Sequence, residues 1–176
     1  FEYSTIRYFD GGNSPLTLID ECTFFECPKL TYVIMPAGLE TLNKDVFKNS
    51  KALKTVTFND KIEIIKSSVF DGCSGLEEVI NGFPDSLKEI GVRAFYGTSS
   101  LKSDLVANNL ETIGNRAFTQ SGLPSFDFEK SNVKILYINT FYECKSMTNV
   151  ALSLTLEEIE ETCFSKCTSL VTVKNL

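Results

Sequence analysis

Phenylalanine returns at Phe24, Phe47, Phe70, Phe95, Phe118, Phe141 and Phe164, at intervals of 23 residues broken once by an interval of 25. A fixed period in this range is the signature of a stacked-repeat solenoid, in which each unit buries its apolar edge only against its neighbours. The surroundings of each Phe repeat too: Ile or Leu stands five residues before it, and most copies place apolar residues six and nine residues after it. The chain therefore reads as one quasi-linear body, with an incomplete first repeat over residues 1–15 and seven tandem repeats over residues 16–176.

The third repeat shows the slots clearly: Ile62 and Ile65, then Val69-Phe70, Cys73, Leu76 and Val79. The first supplies Leu16, Ile19, Phe24, Cys27, Leu30, Val33 and Met35, and the fourth supplies Leu87, Ile90, Ala94-Phe95, Thr98, Leu101 and Val106. After each Phe, the stretch Leu-x-x-Val-x-Leu alternates apolar and polar at period two, which predicts a short half-buried strand. The segment leading into each Phe is too short and too irregular for a long helix, so a single helical turn or a 3₁₀ piece is expected there. Pro and Gly gather where strands end, as in Met35-Pro36-Ala37-Gly38, and Asn81-Gly82-Phe83-Pro84-Asp85 contains the insertion behind the longer interval. Tyr3, Ile6 and Tyr8 fill the strand positions of the incomplete repeat. Asp104 falls on a slot held elsewhere by Val or Phe, and a local slip that exposes it and turns Leu105 inward relieves the cost of burying a carboxylate.

Composition removes several function classes. Formal net charge is −6 and no run of Lys and Arg stands out, so nucleic acid and anionic membrane are poor partners. No apolar stretch reaches the roughly 18–20 residues that cross a bilayer, so direct membrane insertion by this segment is not expected. There is no His, which removes the Ser-His-acid and Cys-His arrangements. With no His and no Cys-x-x-Cys, an ordinary zinc site has no ligands, and with no Gly-rich phosphate loop a nucleotide cofactor has no cradle. Cys27, Cys73, Cys144 and Cys167 occupy the slot three residues after the Phe, which Ser or Thr fills in the other repeats, and so form a column of small buried side chains. Cys22–Cys27, Cys163–Cys167 and Cys144–Cys167 are the pairs that spacing leaves open to bridging. Glu157, Glu158, Glu160 and Glu161 flank the core residue Ile159 as a solvated corner, and Asp127 takes an outward strand slot. Outward corners do not build the facing carboxylates that glycoside hydrolysis needs, so an acidic β-helix enzyme is the weakest reading.

The frame Leu-x-x-Val-x-Leu-Pro-x-x-Leu-x-x-Ile-x-x-x-Ala-Phe-x-x-Cys resembles the BspA-type leucine-rich repeat, and Leu110-Glu111-Thr112-Ile113-Gly114-Asn115-Arg116-Ala117-Phe118 follows it closely. The resemblance covers residues 16–176. It implies a right-handed leucine-rich repeat solenoid, with short parallel strands on a concave face and short helical, 3₁₀ or irregular returns on the convex one. It also implies a cell-surface or secreted protein without enzymatic activity, whose partner is a protein of the host surface or extracellular matrix. On such a face the outward strand residues form a ladder: Tyr32 and Ile34, Thr55 and Thr57, Glu78 and Ile80, Ser103 and Leu105, Ser125 and Asp127, Asn149 and Ala151, Thr172 and Lys174. Ile34, Ile80 and Leu105 are its exposed apolar members, a composition suited to protein contact. The alternative is a structural spacer that presents another domain. The chain starts at Phe1 and both ends fall within the repeat without polar caps, so it reads as an excised segment. Its ends are expected to be covered by neighbouring segments or by self-association.

Overall fold

Period-two alternation puts one apolar side chain per strand inward, and parallel stacking of the repeats pairs each strand with its copy one turn on. The computed structural model describes residues 1–176 and contains strands and turns but no helix. Its strands in the first half are β1 (Tyr8–Asp10), β2 (Tyr32–Ile34), β3 (Thr41–Leu42), β4 (Thr55–Thr57), β5 (Ile64–Ile65), β6 (Glu78–Ile80) and β7 (Glu89–Ile90). In the second half they are β8 (Leu105–Val106), β9 (Thr112–Ile113), β10 (Ser125–Asp127), β11 (Ile135–Leu136), β12 (Asn149–Ala151), β13 (Glu158–Ile159) and β14 (Thr172–Lys174).

These strands make two parallel ladders, each interrupted once. The first runs β1-β2-β4-β6 and then β8-β10-β12-β14; the second runs β3-β5-β7-β9 and then β11-β13. Val33, Val56 and Val79 fall in register along the first ladder and Leu42, Ile65 and Ile90 along the second, and all six are buried. The second ladder was not anticipated. Its strands are two residues long, so each carries one inward residue and shows no alternation.

The return through each Phe is not helical. In every repeat the residue two before the Phe and the residue two after it have positive φ, as in Arg93 (57°) and Gly97 (69°) around Phe95. Left-handed residues at such regular places turn the N–H groups along the stack, where they bond to the next turn rather than closing a helix. Phe47 N–H donates to Val69 O at 3.0 Å, Phe70 N–H to Ala94 O at 2.8 Å and Phe95 N–H to Ala117 O at 2.7 Å. Gly91 and Gly114 stand where adjacent returns come closest, since a Cβ on Gly114 would lie 2.4 Å from the Val92 nitrogen.

The recurring Phe side chains stack at the centre. Phe95 and Phe118 are 5.2 Å apart with rings 6° from parallel, and Phe118 and Phe141 are 5.5 Å apart at 7°. Offset stacking of this kind contributes about 0.5–1.5 kcal/mol per pair beyond the burial of area. The one tilted step, 26° between Phe70 and Phe95, spans the insertion. There Asn81 and Gly82 adopt positive φ, and Phe83 turns into the core against Phe58, Phe95 and Phe126.

Several slots differ from the sequence reading. Leu105 is fully buried opposite Phe126, while Asp104 and Val106 face out, so the slip holds and Val106 leaves the core. In β1 the inward residue is Phe9, opposite Val33, and Tyr8 is exposed. Leu16 is exposed in the first repeat. Ile159 is 37% exposed because no further strand covers it. All six cysteines are free.

Candidate partner-binding face

The face of the first ladder is built from the two outward positions of each three-residue strand. One column runs Tyr8, Tyr32, Thr55, Glu78, and the other runs Asp10, Ile34, Thr57, Ile80. Beyond the interruption they continue as Ser125, Asn149, Thr172 and as Val106, Asp127, Ala151, Lys174. Inter-turn bonding occupies the strand backbones, so the face presents side chains only.

Tyr8 and Tyr32 stack at 5.3 Å and 4°, and both are exposed. Ile34 and Ile80 are half-buried, flanking Thr57, and Val106 is 47% exposed across the interruption. Beside them Glu77 bridges Lys54 at 3.7 Å and Lys102 at 3.6 Å, a surface network across three turns that fixes charge rather than adding much stability.

The interruption has a local cause. Leu105 turns inward, so it leaves the outward ladder in which the sequence placed it, and the strand it opens, β8, is two residues long. Ser103 is half-buried outside any strand, and its hydroxyl accepts the Val79 N–H at 2.9 Å in place of a backbone carbonyl. Asp104 instead joins the exposed surface and accepts a hydrogen bond from the Ser125 hydroxyl at 2.6 Å. Ala151 also departs from the expectation, since it is 7% exposed and offers little contact area. The remaining ladder residues are half-buried or exposed. Tyr8 and Asp10 were missed as outward members. The alternation of Tyr8-Phe9-Asp10, set against Tyr32-Val33-Ile34, carried the signal.

The cysteine column serves the fold. Cys73 Sγ donates to Phe47 O at 2.9 Å, Cys144 Sγ to Phe118 O at 2.9 Å and Cys167 Sγ to Phe141 O at 3.0 Å. Ser50 does the same toward Phe24 O at 2.7 Å. The slot therefore supplies a second donor to a carbonyl that already accepts a backbone N–H within its own turn, as Phe47 O does from Ser50 N–H at 3.0 Å. Burial pushes the Cys73 thiol well above its ordinary range and Cys163 up to about 12, while the neighbouring Cys167 thiol and then burial raise Cys144. The hydrogen bond with Cys144 shifts Cys167 the other way, downward, and the buried Cys73, Cys144 and Cys163 are the thiols that burial keeps unreactive.

The acidic corner is partly structural. Glu157 pairs with Lys134 at 2.9 Å, and Glu160 accepts the Ile138 N–H at 2.7 Å. No three His, Cys, Asp or Glu side chains gather in a way that could hold a metal. No helix is long and apolar enough to cross a membrane.

The BspA type leucine rich repeat region matches residues 1–103 and 81–175, in six copies. The chain belongs to this leucine-rich repeat family. Families of this solenoid type are typically non-enzymatic and generally mediate protein interactions. The fold also matches a T. pallidum leucine-rich repeat protein with a TM-score of 0.82 at 22% identity, over 96% of this chain and 79% of that one. A leucine-rich repeat protein of Bacteroides ovatus matches at a TM-score of 0.76 and 24% identity, over 89% of this chain but only 41% of that protein. The pneumococcal vaccine antigen PcpA matches at a TM-score of 0.61 and 21% identity, over 80% of this chain and 34% of the antigen. Sequence comparison with curated proteins finds no match. This BspA-type chain thus spans about two fifths of the Bacteroides protein.

Proposed function

We propose that this segment is a non-enzymatic adhesion module of a cell-surface or secreted protein, contacting a host-surface or extracellular-matrix protein through the face of the first strand ladder. One observation carries the reading: the exposed, stacked pair Tyr8–Tyr32 shares the outer face of one parallel sheet with the half-buried Ile34 and Ile80. Aromatic and branched aliphatic groups held rigid lose little entropy on contact, which is how interface anchors act. The hydroxyl and amide groups of Thr55, Thr57, Ser125 and Asn149 supply a polar surround.

The likeness to a pneumococcal vaccine antigen supports the location, and the −6 net charge argues against a polyanionic partner. The test is adhesion. Beads coated with the segment bind a surface of extracellular-matrix protein, and beads carrying the Tyr32→Ala/Ile80→Ser variant do not. Equal adhesion by both bead types contradicts the reading.

A further inference from the structure

The return face carries a second, differently built site. The position one residue after the Phe is Tyr96 in the fourth repeat, Thr119 in the fifth and Tyr142 in the sixth, so two aromatic rings flank a short side chain. Each tyrosine is backed by a cation. Arg93 lies over the Tyr96 ring with its guanidinium carbon 3.8 Å from the centroid, drawn toward the preceding turn by Asp71 at 2.9 Å. Lys166 comes from the following turn to lie 4.9 Å from the Tyr142 centroid, held by Glu143 at 2.8 Å. Arg93 leans toward the turn before and Lys166 comes from the turn after, which leaves the Thr119 side of each ring to the cavity that both line.

Two turns separate the rings, about 10 Å at the parallel-strand spacing. That gap is wide for a flat aromatic ring and fits one puckered saturated ring, with carbons about 4 Å from each face. A cavity of about 410 Å³ opens here. Thr119 forms its floor, 4% exposed and with its hydroxyl already donated to Asn139 O at 2.6 Å. Arg116, Gln120 and Asn139 line it as well. Arg116 is exposed and makes no ion pair, in contrast to Arg93, and the Asn139 amide keeps its N–H donors. No aliphatic side chain lines the space.

The lining therefore offers C–H-accepting ring faces, amide donors and one free planar guanidinium. A ring with apolar faces, hydroxyl edges and a single carboxylate satisfies all three, the carboxylate taking the two parallel donors of Arg116. Glu143 beside the site and the net charge of −6 disfavour a densely sulfated chain. We propose that this pocket binds a carboxylated pyranose unit of a glycan.

The test is NMR titration of the segment with a glucuronic-acid disaccharide and, as control, the corresponding glucose disaccharide. The uronate should shift the Arg116 side-chain and Thr119 backbone N–H signals with at least tenfold tighter binding than the neutral sugar. Arg116→Gln should remove that preference and Tyr142→Ala should abolish binding. Tyr32→Ala, on the other face, should leave it unchanged, so failure here does not touch the adhesion reading. Because Arg116 is exposed, Arg116→Gln should keep the amide spectrum of the folded chain. Equal binding of both sugars, no binding by the uronate, or acetate alone reproducing the same shifts would each overturn the proposal.

Discussion

The thiol of Cys73 donates a hydrogen bond to the carbonyl oxygen of Phe47, one turn earlier, at 2.9 Å, and both residues are fully buried. Cys144, Cys167 and Ser50 make the same bond one turn back, while Thr98 donates to Phe95 O of its own turn, so the slot takes a small side chain with a donor. Cys73→Ser should keep the bond and change stability little. Cys73→Ala leaves the Phe47 carbonyl with the Ser50 N–H as its donor and should cost about 0.5–1.5 kcal/mol, read as a shift in the urea midpoint. Equal midpoints for the two variants would mean that the slot is selected for size alone.

Phe118 lies between Phe95 and Phe141 in the ring stack and also touches Phe126. Phe118→Ala should cost about 3–5 kcal/mol, and since repeats contact only their neighbours, unfolding should split into two transitions. Hydrogen exchange is the measurement: turns on either side of the substitution should exchange at different free energies. A single cooperative transition would contradict the nearest-neighbour account.

Glu143 accepts hydrogen bonds from Lys166 at 2.8 Å and from Gln120 at 3.0 Å, and these lower its pKa to about 2. The folded value lies below the unfolded one, so the pair's contribution is present above about pH 4.5 and is lost as pH falls toward 2. Carboxyl NMR titration should place the Glu143 midpoint near 2, and Lys166→Met should move it upward. An unchanged midpoint in that variant would refute the assignment.

Much of the fold was legible because burial is periodic: a residue such as Phe70, Leu76 or Val79 must face the core in every copy. The return was not, because positive φ is a backbone property that Cys22, Asp45, Arg93 and Asn139 share without a common side-chain signature. The outward ladder was legible by alternation except at Ala151, which is buried, and at Leu105, where one shifted residue exchanges the two faces. Asp104 announced that shift, since a carboxylate does not stay on a core slot. The pocket between Tyr96 and Tyr142 was not legible, because its members, with Thr162, belong to four repeats and none departs from its own frame.

The central claim is that the first-ladder face is the contact surface. Surface plasmon resonance on immobilised extracellular-matrix protein should show at least tenfold weaker binding for Tyr32→Ala/Ile34→Ser/Ile80→Ser than for the unaltered segment. Arg116→Gln, on the return face, should bind as the unaltered segment does. Unchanged affinity in the triple variant, or no binding by the unaltered segment to any matrix protein, would contradict the account and leave the spacer role in its place.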